Sequence, residues 1–470
     1  MKNVDLLMIQ SPFGGQGILA HTDCFTVGEG ILSICTFLDS KGYSTEIFPV
    51  DEVFIGVKNF KFDRKRYAFP ETHVAERIRS FNPRVVAISA LTPQYPSALK
   101  IARICKEVDP GIVTVMGGPH VTYNVNEVFS DSTDVDVVVR GEGEWTMLDI
   151  MEHVRENKPL DDVAGITFRK KGKIKHNPDR PLGNLEELPP VDYSKVNPDF
   201  LSNCRFFMTF TRGCRFNCSY CVESKFWGHC VRYRSVEAIM NEMRFINENQ
   251  EGDIYFLARV FNHPEDFFYE LCDRMRSLRF AEGREVAAMV GAANLPREHV
   301  EAMKEAGINT IVIAVESASP EILKRMRKGI SFDLVVEKCR MIKEYDMTIG
   351  TFWIMGHPGE TEETARVSLD AMAYLWEQGL SDRQEIALFT PYPGLPMLKN
   401  PEKEGFRFIT DDYGMFSRFD RPVIELTTLP YDELLKLYQE ARQMAQYWLT
   451  CNRDFFNDKF AAALKKTASS

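Results

Sequence analysis

Three cysteines within eight residues constrain this 470-residue chain more than any other stretch. Cys214, Cys218 and Cys221 are separated by three and then two residues, so one loop can wrap around one inorganic centre. A tetrahedral zinc site needs four ligands, and neither Cys204 nor Cys230 has the spacing that would supply a fourth thiolate. Three thiolates can instead hold three irons of a cubane cluster and leave the fourth iron open. We therefore predict an iron-sulfur centre here.

Length, composition and charge are typical of an enzyme with two or three domains. Hydrophobic residues make up 44% of the chain and charged residues 26%, and the net charge of −10 argues against a general nucleic-acid surface. No apolar tract reaches eighteen residues, and the N-terminal apolar run contains Asp5, unlike a signal peptide. We expect a cytoplasmic protein with no membrane span and no nucleic-acid partner. The scattered cysteines outside the motif are expected to be core residues rather than a disulfide framework.

Strand-like and helix-like segments alternate along residues 1–155. Short apolar runs, typical of buried parallel strands, are separated by stretches of helical period. The predicted strands are 4–9, 45–50, 85–90, 112–116 and 135–140, and the predicted helices are 28–41, 73–81 and 95–107. This order predicts an α/β fold with a doubly wound, Rossmann-like parallel sheet and right-handed crossovers.

Glycine and small polar residues gather where four of these predicted strands end. The residues at these strand ends are Gly14, Gly15, Ser89, Leu91, Thr92, Gly117, Gly118, Gly141 and Glu142. One glycine-rich loop can simply be a tight turn, but four on one edge indicate a ligand site, because doubly wound sheets bind ligands at the carboxyl ends of their strands. No G-x-G-x-x-G dinucleotide fingerprint follows the first strand.

Residues 204–398 again alternate strands and helices, and here the pattern predicts a partial or full parallel barrel. The predicted strands are 206–210, 254–257, 286–290, 310–315, 348–355 and 384–389. Active sites of such barrels lie at the carboxyl ends of the strands. Glu316 directly follows an apolar strand and is too costly to bury unpaired. It therefore faces a solvated or cationic site, or pairs with Arg325 or Arg327 in the following helix.

Two further segments complete the predicted order of domains. Residues 156–203 carry a predicted hairpin and several prolines, which is typical of a linker. Residues 399–470 are predicted to form a mainly helical extension, with an amphipathic helix at 431–449 that docks on the barrel. The aromatic segment 413–419 is either core or a cover of the substrate cavity.

Several motifs together resemble the cobalamin-binding type of radical S-adenosylmethionine (SAM) protein. These are Gly117–Thr122, Val139–Glu144 and Thr211–Cys214, with Tyr220 before the last cysteine of the motif, and the resemblance covers about residues 5–396. It implies a cobalamin in the N-terminal domain, and a 4Fe-4S cluster with SAM in a TIM-type barrel. It also implies a small-molecule substrate, such as a natural-product or lipid-like intermediate, and an electron donor such as flavodoxin or ferredoxin.

The resemblance also implies roles for single residues. The implied SAM-binding residues are Tyr220, Glu316 and Ser317, the implied substrate residues are Arg259 and Tyr392, and the implied cluster ligands are Cys214, Cys218 and Cys221. The strand-end residues of the first sheet are expected to contact cobalamin, together with His120. Because the D-x-H-x-x-G motif is absent, His120 is expected to be a loop residue at the corrin edge or backbone rather than a cobalt ligand.

Two positions depart from the family pattern. Arg259 stands where the family usually has acidic residues, and it could bind a substrate carboxylate or phosphate, or pair with Glu265 or Asp266. His357 lies in the turn Gly356–Thr361, where a less polar residue is common, and this turn is either structural or part of the site.

Methyl transfer is the activity that the resemblance implies. A 5'-deoxyadenosyl radical from SAM would remove a substrate hydrogen, and methylcobalamin would supply a methyl group to an unactivated carbon or a phosphinate phosphorus. One alternative is a cobalamin-using radical SAM cyclase or rearrangement enzyme without methyl transfer. Another is a radical SAM enzyme whose N-terminal sheet no longer binds cobalamin.

Overall fold

Two β-sheets organise the protein in a computed structural model that describes residues 2–12, 25–55, 68–257 and 261–451. Most strands of the two sheets are short apolar runs whose side chains are largely buried, as the apolar runs in the sequence predict. The predicted α/β class is confirmed: a doubly wound sheet comes first, a parallel half-barrel follows, and the C-terminal end is helical.

The first sheet has seven strands in the described part of the chain. They are β1 (Leu6–Gln10), β2 (Thr45–Pro49), β3 (Val85–Ser89), β4 (Val113–Gly117), β5 (Val137–Val139), β6 (Ile166–Lys170) and β7 (Lys173–His176). Their order is β2-β1-β3-β4-β5-β6-β7, with β1 to β5 parallel and β6 and β7 antiparallel. In this 2-1-3-4-5 order the strand order reverses between β1 and β3, where doubly wound sheets bind their ligands. The predicted hairpin extends this sheet at β5.

The connections of the first sheet are helical. The helices are α1 (Glu29–Ser40), α2 (Glu71–Phe81), α3 (Tyr95–Val108), α4 (Pro119–Tyr123), α5 (Val125–Asp131) and α6 (Glu144–Glu156), and α7 (Pro198–Leu201) follows the hairpin. The helix α4 starts at a proline, which is suited to the first turn of a helix because it needs no N–H partner there. The prediction that His120 is a loop residue is therefore wrong, since His120 lies in the first turn of α4.

The second sheet has six parallel strands and forms a half-barrel. The strands after β7 are β8 (Phe206–Met208), β9 (Thr211–Arg212), β10 (Arg232–Tyr233), β11 (Ile254–Phe256), β12 (Val286–Val290), β13 (Thr310–Glu316), β14 (Thr348–Met355) and β15 (Arg383–Leu388). The half-barrel order is β15-β14-β13-β12-β11-β8, while β9 and β10 form a separate antiparallel pair beside it. Of the two predicted forms of barrel, the partial one is correct.

Helices cover the half-barrel and complete the C-terminal region. They are α8 (Glu223–Phe226), α9 (Val236–Asn249), α10 (Glu265–Met275), α11 (Arg297–Glu305), α12 (Pro320–Met326), α13 (Phe332–Lys343), α14 (Glu362–Glu377), α15 (Pro401–Glu404) and α16 (Tyr431–Cys451), with an antiparallel pair of strands, β16 (Phe406–Phe408) and β17 (Ile424–Leu426). Helix α16 docks through its apolar face, where Trp448 stacks on Trp376 at 5.5 Å between ring centroids. Among the described helices, none is long and apolar enough to cross a membrane.

One apolar core joins the two sheets. It runs from Leu6 and Met8 of the first sheet through Phe200 to the strands of the half-barrel. Phe25 lies at the junction, where its ring is 4.9 Å from the ring of Phe200. The two sheets therefore pack as one body, and this fixes the position of their carboxyl-end edges.

Candidate active site

The three predicted cluster cysteines lie on one partly exposed loop after β9. Cys214, Cys218 and Cys221 are each partly accessible to solvent. The loop begins at Gly213, whose φ of 97° is left-handed, and a Cβ there would lie 2.1 Å from the backbone oxygen of Cys230. Only glycine fits this close approach, so Gly213 sets the course of the loop.

The number and type of the ligands on this loop suit an iron-sulfur cluster. Within the described ranges, no group of three or more His, Cys, Asp or Glu side chains converges closely enough to hold one metal ion. Three thiolates can bind three irons of a cubane cluster and leave the fourth iron open. The chemistry of the donor set and its partial exposure therefore fit a 4Fe-4S cluster.

A triangle of polar side chains stands beside this loop. The Tyr220 hydroxyl donates a hydrogen bond of 2.9 Å to Glu316 Oε1, and Lys328 Nζ donates to the same oxygen at 2.9 Å and to the Tyr220 hydroxyl at 3.1 Å. Glu316 ends β13 with a φ of 67°, which is uncommon for a residue other than glycine and is found mostly at functional sites. The structure thus brings together two of the three predicted SAM residues.

The cation that pairs with Glu316 is not one of the two that the sequence suggested. The expected partners were Arg325 and Arg327, but Lys328 makes the ion pair. Arg327 ends α12 with a left-handed φ of 55°, so the chain reverses there and Lys328 points back toward the strand. This reversal could not be read from helical spacing.

Charge and burial keep the Tyr220 phenol neutral. Burial comes first among the causes that raise its pKa well above the usual range, followed by the negative charges of Glu316, Cys218 and Cys221. A neutral phenol can donate a hydrogen bond to Glu316 at any physiological pH. Tyr220 therefore fixes the Glu316 carboxylate next to the cysteine loop.

The Ser317 hydroxyl makes hydrogen-bonding contacts within the turn after β13, away from the triangle of Tyr220, Glu316 and Lys328. Its hydroxyl is fully buried, lies 3.1 Å from the hydroxyl of Ser368 and accepts a hydrogen bond of 3.1 Å from the backbone N–H of Ser319. The structure does not bring the Ser317 hydroxyl to Glu316. Ser319 caps α12, and so the serines of this segment shape the helix entry.

His357 contacts the cysteine loop, a role that the sequence did not predict. Its Nε2 lies 3.0 Å from the hydroxyl of Ser219, the residue between Cys218 and Tyr220. Burial lowers the pKa of His357 to about 4, so the ring is neutral near pH 7. The signal in the sequence was a histidine at the carboxyl end of a barrel strand, where a less polar residue was expected. The turn Gly356–Thr361 therefore supports the loop that carries the cluster ligands.

Glu360 is a fully buried acid in the same turn. It is 0% exposed, Oε2 accepts a hydrogen bond from the Gly356 N–H, and Oε1 has no hydrogen-bond partner. Burial raises its pKa from 4.5 to about 8. The folded protein therefore keeps a proton on Glu360 that the unfolded chain loses above pH 4.5, so the stability from this group falls as the pH rises from 4.5 to about 8 and levels off above that.

We expect Glu360→Gln to remove that dependence on pH. Urea unfolding at pH 5 and at pH 8 should show a smaller loss of stability between the two pH values in the variant than in the wild type. Glu321→Gln, on the exposed face of α12, is the matched control and should keep the wild-type difference. An unchanged difference in Glu360→Gln would mean that Glu360 is ionised in the folded protein.

At the edge of the first sheet, His120 and Thr92 come together. The His120 Nδ1 lies 3.3 Å from the Thr92 hydroxyl, and the imidazole ring packs between the rings of Tyr95 and Tyr413 at 4.3 and 4.6 Å. His120 Nε2 is buried and has no hydrogen-bond partner, and burial lowers the pKa of His120 to about 4. A buried polar atom without a partner in a ligand-binding edge fits a site for a large polar ligand such as cobalamin.

Backbone conformation at the same edge requires glycine. Gly118 has a φ of 117°, and a Cβ there would lie 2.6 Å from the backbone oxygen of Ala90. The remaining predicted residues of this edge that the structure describes, Ser89, Leu91, Gly117 and Gly141, also follow or end its strands. Gly14, Gly15 and the predicted substrate residue Arg259 lie outside the described residues.

Glu142 forms ion pairs with the second half of the chain. Both of its carboxylate oxygens bind arginines of the second domain: Oε1 lies 2.6 Å from Arg232 and 3.3 Å from Arg212, and Oε2 lies 3.1 Å from Arg232. Arg212 also pairs with Glu144 at 2.5 Å. These ion pairs tie the first sheet to β9, two residues before Cys214, and the expectation that Glu142 contacts cobalamin stays a prediction.

The predicted substrate residue Tyr392 is half-buried in the turn after β15. Its hydroxyl donates a hydrogen bond of 3.2 Å to the backbone oxygen of Phe416 in the C-terminal region. Gly394, two residues after Tyr392, packs on the ring of Tyr123, which belongs to α4 of the first domain. Tyr123 in turn lies 6.4 Å from the ring of Phe226 in α8, just after the cysteine loop. The carboxyl-end edges of both sheets thus meet around Tyr123.

Two separate parts of the chain match known family models. Residues 24–151 match the B12 binding domain, and residues 208–372 match the Radical SAM superfamily. The chain belongs to the cobalamin-binding radical SAM family. It is an enzyme of that family, and its cofactors are a 4Fe-4S cluster, SAM and cobalamin, as the sequence predicts.

Relatives of this radical SAM protein carry out more than one reaction. It is 29% identical to an uncharacterized methyltransferase of Pyrococcus horikoshii over 78% of this chain and 80% of that protein. It is 26% identical to an anaerobic magnesium-protoporphyrin IX monomethyl ester cyclase of Rubrivivax gelatinosus over 83% of this chain and 68% of that protein. The radical SAM methyltransferase TsrM of Kitasatospora setae, solved with cobalamin and a 4Fe-4S cluster, shares its fold with a TM-score of 0.71 at 15% identity, covering 94% of this chain and 91% of that one.

Proposed function

We propose that the protein is a methyltransferase that moves a methyl group from methylcobalamin to an unactivated carbon or phosphorus atom of a small molecule. One observation supports this proposal: the carboxyl-end edges of the two sheets meet around Tyr123. The edge of the first sheet that carries Thr92 and His120, called the His120 edge below, therefore lies near the cysteine loop. When bound, the cluster and SAM supply a 5'-deoxyadenosyl radical for hydrogen abstraction, and methylcobalamin supplies the methyl group. A substrate lying between the two edges is within reach of both.

In this proposal the triangle beside the cysteine loop binds SAM. Glu316 is held by two donors, Tyr220 and Lys328, so its carboxylate is oriented before SAM arrives. The Lys328 amine is only 17% exposed and is within reach of any group that approaches Glu316. Glu316 would accept hydrogen bonds from SAM, and Lys328 would neutralise the negative charge that the three thiolates add nearby.

We expect Glu316→Gln to weaken SAM binding at least tenfold, since a charge-assisted hydrogen bond contributes roughly 1.5–3 kcal/mol. The dissociation constant is measured anaerobically by equilibrium dialysis with the reconstituted enzyme. Glu321→Gln, five residues further along the chain and exposed, is the control and should bind SAM like the wild type. Wild-type affinity in Glu316→Gln would remove Glu316 from the SAM site.

The His120 edge would hold cobalamin. Thr92 and His120 lie beside the point between β1 and β3 where the strand order reverses, and the unpartnered Nε2 of His120 is available to an amide or phosphate of the ligand. The neutral ring can act as a donor or an acceptor there. Tyr413, which the sequence did not single out as a site residue, would hold the imidazole from the C-terminal side.

We expect Gly118→Ala to bind cobalamin at least tenfold more weakly, because the new Cβ would collide with the Ala90 oxygen and displace the start of α4. Corrinoid retained after gel filtration is measured by its visible absorbance, and thermal unfolding is followed in parallel. Gly30→Ala is the control, since a Cβ at Gly30 meets nothing within 4 Å. A Gly118→Ala protein with normal melting temperature and normal corrinoid content would contradict the proposed edge.

The product mass tests the proposed reaction. A product that is heavier than the substrate by one CH2 group, with the label of methyl-labelled SAM, is the expected result. The second candidate is a cyclase or rearrangement enzyme, which the relative of Rubrivivax gelatinosus favours. A product formed with consumption of SAM but without added CH2 would support that candidate and exclude methyl transfer.

A further inference from the structure

A narrow cavity lies inside the half-barrel, and most of its wall is apolar. Alternate side chains of a strand point to the same face of a sheet, so every second residue of these strands faces the inside. The cavity has a volume of about 40 Å³. A single water needs roughly 10–15 Å³ of such space, so the cavity admits only a slim chemical group. Its apolar lining includes Phe207, Tyr255, Ala287, Met289, Val312 and Phe352.

A matched pair of charges closes the floor of this cavity. Arg383 Nη1 lies 2.6 Å from Glu285 Oε1 and donates a hydrogen bond of 3.3 Å to the Tyr255 hydroxyl. Gly350 leaves room for this arginine, since a Cβ at Gly350 would lie 3.1 Å from Arg383 Nε. Arg383 is the first residue of β15, so the floor lies at the amino ends of the strands.

The C-terminal region covers the free edge of the half-barrel beside this cavity. Strand β15 is the last in the order of the described strands, so one of its edges has no strand partner there. The Leu388 N–H donates a hydrogen bond of 2.7 Å to the backbone oxygen of Arg418, and the Tyr392 hydroxyl donates to that of Phe416. The rings of Phe416 and Phe419 are buried. With the floor and this edge covered, a ligand approaches from the carboxyl ends of the strands.

Glu385 is an acid of this cavity whose charge is not paired. It follows Arg383 by two residues on β15, so both side chains lie on the same face of the sheet and line the cavity. Glu385 Oε2 is buried and has no hydrogen-bond partner. Arg383 is already paired with Glu285, and within the described ranges neither Arg383 nor Arg418 forms an ion pair with Glu385. Burial raises the pKa of Glu385, and the positive charges of Arg383 and Arg418 oppose that rise.

A ligand that brings its own positive charge would compensate this acid. A buried carboxylate without a partner costs free energy, and that cost is removed when a cation with N–H donors pairs with it. An ammonium group has three such donors and is slim enough for the cavity. A site that pairs with a substrate N–H also rejects an analogue that lacks it, because its own polar group is then left unpaired.

We propose that Glu385 binds an amino group of the substrate, and that the substrates are small molecules with a primary amine on a slim apolar chain. This inference rests on the proposed function in one respect, since it takes the cavity to be the substrate site of that enzyme. The apolar side chains around Glu385 would contact the chain that carries the amine. Glu385 is thereby a specificity-determining residue that the sequence did not single out.

The test compares two probes of nearly the same shape, n-butylamine and n-butanol, on the reconstituted full-length holoenzyme with SAM. Equilibrium dialysis of the radiolabelled probes gives the two dissociation constants at neutral pH. We expect the wild type to bind n-butylamine at least tenfold more tightly than n-butanol. In Glu385→Gln, which keeps the shape of the side chain and removes its charge, this preference should be lost.

Glu377→Gln, at an exposed acid near the end of α14, is the matched control and should keep the wild-type preference. Equal affinities of the wild type for the two probes would overturn the proposal. Failure of the wild type to bind either probe at millimolar concentration would overturn it as well, and so would an unchanged preference in Glu385→Gln. The wild-type comparison needs no variant, so it decides even where Glu385→Gln folds poorly. Because binding is measured without turnover, this result and the product mass that tests methyl transfer can fail separately.

Discussion

Replacing Cys218 with alanine should abolish both the iron-sulfur absorbance of the reconstituted protein and its cleavage of SAM. The structure places Cys218 on a partly exposed loop with Cys214 and Cys221, and three thiolates are the fewest that hold a cubane cluster with one open iron. With two thiolates left, the cluster is not retained. Two measurements test this prediction. They are the visible absorbance of the iron-sulfur cluster and the amount of 5'-deoxyadenosine formed from SAM after reduction.

The control for this prediction is the nearby cysteine that the motif leaves out. Cys230 is exposed and its sulfur lies 3.9 Å from the backbone oxygen of Val231. Cys230→Ala should keep the full cluster absorbance and the full SAM cleavage. Loss of the cluster in Cys230→Ala would indicate a four-thiolate site, and retention of cluster and SAM cleavage in Cys218→Ala would refute the assignment of the ligands.

Replacing Arg212 with methionine should destabilise the protein by about 3–5 kcal/mol, the usual cost of removing one partner of a buried ion pair. The side chain of Arg212 is 9% exposed and that of Glu144 is 2% exposed. Burial by itself raises the pKa of Glu144, but the Arg212 guanidinium outweighs burial and holds that pKa below its usual range. Without Arg212 the buried carboxylate must take up a proton or draw in water. Urea unfolding at neutral pH measures the loss.

A surface ion pair provides the control for Arg212→Met. Arg276 pairs with Glu305, and their side chains are 48% and 51% exposed. Arg276→Met should cost about 1 kcal/mol or less, because solvent screens such pairs. An equal effect of the two substitutions would show that the Arg212 ion pairs do not hold the cysteine loop on the first sheet.

The sequence predicted the elements of the fold because each strand is a short apolar run between turn residues. The strands from Leu6–Gln10 to Val113–Gly117 are buried along their length, so hydrophobicity alone marks them. The cluster motif could also be predicted, because its three cysteines lie within eight residues of one another. The strands and the cysteine motif are defined by residues close together in the chain, so they can be predicted without knowledge of tertiary contacts.

Contacts between distant segments were the features that the sequence could not predict. Glu142 seemed part of the ligand edge, yet its partners Arg212 and Arg232 lie 70 and 90 residues further along the chain. His357 reaches Ser219 across 138 residues, and Tyr413 reaches Glu127 across 286. Charge and aromaticity in these side chains were visible in the sequence, but their partners depend on how the two sheets pack.

Anaerobic reconstitution followed by quantification of iron, sulfide and corrinoid tests the account most directly. The account predicts one 4Fe-4S cluster and one cobalamin per chain in the same preparation, because the cysteine loop and the His120 edge belong to one packed body. A preparation that holds one cluster per chain and cleaves SAM, but retains no corrinoid at equal stoichiometry, would contradict the two-cofactor site.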